Sequence, residues 1–95
     1  MVIGTGIITF RLHDCHSLKE KRKIIKSIIS RLRNTFNASI AEVGANDMFQ
    51  RAEVGLAMVG NDSRIINSKI DKLINMAEDM GIAEIIDTEF EIISM

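Results

Sequence analysis

Three groups of residues in this chain could do chemistry, two of them on phosphate and one on a metal ion or as a nucleophile. Lys19, Lys21, Arg22, Lys23, Lys26 and Arg33 gather cations over a short span. Such side chains hold phosphate, lysine as a point charge and arginine as a planar fork. His13-Asp14-Cys15-His16 sets potential metal ligands side by side, with a thiol and imidazoles that could also pair for nucleophilic attack. Gly4-Thr5-Gly6 could open a phosphate-cradling loop.

The second and third groups weaken on inspection. Adjacent residues seldom converge on one ion, and no other Cys or His cluster exists to complete a tetrahedral site. A thiol at a helix N-terminus beside lysines is in surroundings that favour thiolate, yet no spacing identifies an orienting residue or oxyanion donor for Cys15. Gly4 and Gly6 fall inside a strand pattern rather than between a strand and a helix, so they mark close backbone approach or bending. No catalytic residue, metal site or cofactor is therefore expected. The cationic group survives, with Arg51 as an outlying member.

The element that must position those cations is a helix beginning at Ser17. Leu18, Ile25, Ile28, Ile29, Leu32 and Phe36 recur at three- and four-residue steps, with Ile24 widening the apolar stripe. Ser17 and Glu20 have the spacing of a capping box, with the hydroxyl on a free N–H and the carboxylate reaching back. Lys19, Arg22, Lys26 and Arg33 fall within roughly a 60° sector beside the stripe, with Lys23 just outside it. This arrangement opposes the helix. Cations facing the positive end of the macrodipole cost ~0.3–1 kcal/mol each. Lys19–Lys23 and Arg22–Lys26 add like-charge pairs at i,i+4, each unfavourable by ~0.2–0.5 kcal/mol. Local rules broken together in one place point to function.

The remaining chain supplies a sheet and a second helix. Val2–Leu12 reads as a strand with Ile8, Phe10 and Leu12 on one face and Ile3, Thr5, Ile7, Thr9 and Arg11 on the other. Ala38–Val43 and Ala52–Val59 follow as a pair joined by a longer loop. A helix capped by Asn61, Asp62 or Ser63 buries Ile66, Ile70, Leu73, Ala77 and Met80 and stops at Gly81. Ala83–Ile93 alternates, with Ile86, Phe90 and Ile92 opposite Asp87, Glu89 and Glu91. This order is βαββαβ. It predicts an α+β, ferredoxin-like sandwich over residues 1–95: a four-stranded antiparallel sheet with both helices on one face. Right-handed crossovers put the first and third strands at the centre.

Charge and hydropathy narrow the partners. Residues 1–36 hold eight basic and two acidic residues, a balance of +6, and residues 37–95 hold four and eleven, a balance of −7. Such polarity suits an oriented surface. One cysteine excludes an intramolecular disulfide framework. The apolar start is too short to span a membrane and has no basic region before it, which predicts a soluble cytoplasmic protein. The open sheet face carries no aromatic residue for base stacking, and its acidic row would repel phosphate. RNA would therefore bind through the first helix, by phosphate contacts. The apolar centre of that face, with Ile3, Ile7, Ala57 and Val59, suits self-association or another protein's surface. It predicts a homo-oligomer, most simply a dimer, and as the alternative function a protein-interaction or regulatory module that binds through the open sheet.

Ser17-Leu18-Lys19-Glu20-Lys21-Arg22 and Ser39-Ile40-Ala41-Glu42-Val43-Gly44, followed by Asp47 and Gln50-Arg51-Ala52, resemble the small bacterial YlxP-like family. The likeness runs over essentially the whole length, with Phe49 where that family would have Trp. The resemblance implies a βαββαβ protein of uncertain function, often encoded among translation genes. It thus implies ribosomal RNA or a ribosome-bound factor as partner and no catalytic residues. Acylphosphatases share the topology, but their glycine-containing, arginine-anchored loop has no counterpart in His13-Asp14-Cys15-His16.

Overall fold

The computed structural model describes residues 1–95. The elements are β1 (Val2–Arg11), α1 (Leu18–Thr35), β2 (Ser39–Gly44), β3 (Arg51–Gly60), α2 (Ser63–Asp79) and β4 (Glu84–Ser94). The sheet has the order β2-β3-β1-β4, and every neighbouring pair is antiparallel. The ferredoxin-like arrangement is therefore present, with β1 and β3 central.

The core forms between the sheet and the two helices because each contributes one apolar face. Ile8, Phe10, Ala52, Val54, Leu56, Met58 and Ile40 come from the sheet; Ile25, Ile28, Leu32, Ile66, Ile70, Leu73 and Ala77 come from the helices. Burying a side chain of the larger kinds contributes about 1.5–3 kcal/mol. Gly4 and Gly6 allow the close approach foreseen for them. A Cβ on Gly4 would stand 2.6 Å from Ile66 Cγ2, so α2 rests directly on β1. A Cβ on Gly6 would collide with the Phe90 ring and lie 2.9 Å from the Glu89 carbonyl.

Local signals hold at the helix ends, with two refinements. Glu20 N–H donates to Ser17 Oγ at 3.1 Å, while the Glu20 carboxylate accepts from His16 N–H at 2.9 Å, one residue before the cap. Phe36 lies outside α1: its backbone is extended and its N–H closes on Leu32 O, yet its ring still packs against the core. Asp62 is the cap of α2, and Gly81 takes φ +63° after it.

The even alternation expected along β4 is corrected. The register with β1 shifts so that Phe10 faces Ile85 and Thr9 faces Asp87, leaving Ile86 as the extra residue of a bulge. Ile85 therefore packs on the core with Phe90 and Ile92, and Ile86 is exposed. A second bulge in β2 skips Val43 between Glu42 and Gly44. Glu42 keeps the helix side with Ile40 by alternation, Val43 points to the open face, and Gly44 rather than Val43 stands opposite Glu53.

Candidate functional site

The cations expected to act together do not share one fate. Lys19, Arg22, Lys23 and Lys26 are exposed along one flank of α1. None has a carboxylate within 4.0 Å, since the ion pairs of the molecule are Lys21–Glu42, Arg51–Glu53 and His13–Glu84. The flank borders the free edge of β2. A groove of about 580 Å³ runs between them, lined by Arg22, Lys26, Arg33 and Ala41 with Ile25 and Ile29 as its apolar wall. Here backbone edge, apolar floor and unpaired cations meet.

Lys21 is a correction. Its side chain is only 1% exposed, so it cannot reach a phosphate on the surface. It falls on the same helical face as Leu18, Ile25, Ile28 and Leu32, which turns it inward. Its Nζ donates to the Ala45 carbonyl and stands 3.0 Å from Glu42 Oε2. That oxygen is inaccessible and has no well-directed hydrogen bond, so the Lys21–Glu42 contact is electrostatic. Ala45 itself sits at φ 57°, a left-handed conformation uncommon for alanine. The sequence did carry the signal for burial, a lysine in phase with the apolar stripe.

Arg33 and Arg51 are also partly committed. Arg33 donates to the Ile40 carbonyl and so ties the end of α1 to β2, though it still borders the groove. Arg51 lies on the face of β3 opposite to Ala52 and Val54, away from α1, with Glu53 Oε1 at 3.7 Å. The basic flank is thus Lys19, Arg22, Lys23 and Lys26, with Arg33 at its end.

The segment His13–His16 does not assemble a reactive centre. Cys15 is buried, and its thiol donates to Ser17 O at 3.5 Å. His13 Nε2 meets Glu84 Oε2 at 2.6 Å on the surface. No three of the His, Cys, Asp and Glu side chains come together to hold a metal ion.

The two quoted motifs meet in space as a junction of loops. Besides the Lys21 contacts, Gln50 Nε2 donates to Cys15 O at 3.4 Å, and Leu12 N–H donates to Gln50 O at 2.9 Å. The loop after β2 is therefore fastened to the loop before α1. Lys21, Glu42 and Gln50 act here as structural fasteners. Beyond the fastening, Met48 and Phe49 stay exposed on the loop.

Comparison with known proteins places the chain without assigning an activity. A family model described as a protein of unknown function, DUF503, matches residues 3–90. The uncharacterized protein YlxP of Bacillus subtilis (strain 168) is 45% identical over 68 residues, which cover 72% of this chain and 73% of that protein. Among solved structures, the candidate chlorite dismutase TA0507 has a TM-score of 0.50 at 10% identity, over 97% of this chain and 44% of that one. The cofactor-independent oxygenase SnoaB from Streptomyces nogalater has a TM-score of 0.48 at 8% identity, over 98% of this chain and 92% of that one. At such identities the first of these shares the fold alone, and neither shows an enzymatic activity here. No helix is long and apolar enough to cross a membrane.

Proposed function

The chain belongs to the DUF503 family of proteins of unknown function, and on that premise we propose that it is a non-enzymatic accessory protein that docks on ribosomal RNA through α1. The observation that carries this reading is the basic flank. Four exposed cations stand on one side of one helix with no carboxylate partner, in a chain whose net charge is −1. A helix surface built for stability would alternate signs or place acids in its first turns. Phosphate is the ligand that neutralises such a row, because each contact releases condensed counterions.

The contacts would be to backbone rather than to bases. Lys19, Arg22, Lys23 and Lys26 reach outward, and Arg33 closes the far end of the groove. The open sheet face presents Asp87, Glu89 and Glu91 and no aromatic, which suits it poorly to nucleic acid. Phosphate contacts set position and orientation without reading sequence, so specificity would come from the shape of the RNA.

Co-sedimentation with purified ribosomal subunits at low and moderate salt tests the reading. With ~4 phosphates contacted, log affinity falls against log salt with a slope of about −3 to −4. Reversing Lys19, Arg22 and Lys26 to Glu together abolishes association while circular dichroism stays native. Undiminished binding by that variant removes the proposal.

A further inference from the structure

The open face of the sheet holds an apolar surface that the basic flank does not explain. Ile7, Val43, Val59 and Ile93 are 37%, 55%, 63% and 39% exposed on it, and Ala41 and Ala57 are exposed between them. A depression of about 670 Å³ lies at its centre, floored by Gly55 and bordered by Thr5, Ile7, Val43 and Ala57. Along one side runs the acidic row of β4, Asp87, Glu89 and Glu91, none of which is ion-paired.

We propose that this face is covered by a second copy of the chain, packed sheet to sheet about a two-fold axis that runs along the strands between β1 and β3. Three observations choose that occupant and that axis.

The first is size. Four strands about 4.8 Å apart, rising about 3.3 Å per residue, outline a face of about 600 Å². Two such faces together reach the roughly 1,200 Å² at which specific, stable interfaces begin.

The second is shape. Rotation about this axis exchanges β1 with β3 at the same level along the strands. Ile7 is paired in register with Gly55, and Thr5 with Ala57. Each Ile7 is therefore delivered over the partner copy's Gly55, whose outer side Val43 covers, so that isoleucine meets valine, and each Thr5 onto an alanine.

The third is charge. The same rotation sets β4 against the partner copy's β2, whose outward residues Ser39 and Ala41 carry no charge, and Arg11 over the partner copy's Arg51, which Glu53 accompanies. A two-fold axis across the strands would instead lay acid on acid. Like charges so placed in an interface cost several kcal/mol.

Sedimentation equilibrium on the full chain tests the proposal. The wild type should approach twice its 10.6 kDa at high micromolar concentration. Ile7→Lys places a cation beside Glu89, its in-register neighbour on β4, so the protomer keeps its fold. At the centre of the interface the cost of taking that ammonium out of water weakens the dimer about 100-fold or more. Ala57→Lys should do the same, whereas Ile65→Lys, on exposed α2, should leave the dimer intact. A wild type that stays monomeric, or a dimer indifferent to Ile7→Lys and Ala57→Lys in folded protein, overturns the proposal.

Discussion

Lys21 fastens the loop after β2 to the first turns of α1 by placing one ammonium between a carboxylate and a strained carbonyl. Removing one member of a buried ion pair strands the other, which typically costs 3–5 kcal/mol. Glu42 keeps 23% of its side chain in water, which softens that penalty. Lys21→Met should therefore lower stability by about 2–4 kcal/mol, read from the urea midpoint at unchanged slope. Adding Glu42→Leu should restore most of the loss, because the pair is then replaced by apolar contact. Neither change should alter the salt dependence of RNA association by the folded protein, since Lys21 is not on the surface. Gly6 makes the opposite demand, for absence of a side chain. The methyl of Gly6→Ala meets the Phe90 ring and the Glu89 backbone, and such overpacking costs about 1–3 kcal/mol, visible as a lower Tm.

At the scale of the element, α1 has a sound apolar stripe and cap and a poor charge distribution. Its exposed cations face the positive end of the dipole and one another. The helix owes its stability to Ile25, Ile28 and Leu32 in the core rather than to its surface. A trade-off between stability and binding follows. Lys19→Glu turns an unfavourable dipole contact favourable and converts the Lys19–Lys23 repulsion into an attractive i,i+4 pair, with a gain of about 1 kcal/mol. Thermal unfolding should move upward while RNA affinity falls. A variant that lost affinity through damage to the fold would move both downward. Arg33 shows the other use of a cation on this helix, capping the Ile40 carbonyl near the free edge of the sheet, one way to blunt an edge strand.

For the whole molecule, charge and hydropathy separate by layer. The helix layer carries the basic flank of α1, and the open sheet face carries the apolar patch and the acidic row of β4. A sheet-to-sheet dimer would leave both α1 helices on its outer sides, facing away from one another. A short RNA should then fill the two sites independently, one per protomer, and a long RNA should be bridged between dimers. Isothermal titration with a short ribosomal RNA fragment should give one site per chain without cooperativity. RNA binding should weaken steeply with salt, because counterion release scales with the number of phosphates, whereas a dimer held by apolar contact should persist.

The sequence alone determined what depends on neighbours along the chain. Apolar periods of two and near 3.6, Ser17 and Asp62 as caps and Gly81 as a stop lie within a few residues of what they control, and the βαββαβ order followed with right-handed crossovers to set the strand order. The close approach at Gly4 and Gly6 was legible for the same reason. Only the tertiary structure decided which cations remain free. Lys21 had the stripe's phase, but its burial required Glu42 and the Ala45 carbonyl to arrive from the hairpin. The bulge at Ile86 was hidden too, because an extra residue appears only against a partner strand's register. Periodicity describes one element's faces; which charge is neutralised and which stays exposed is settled when a second element covers one of them.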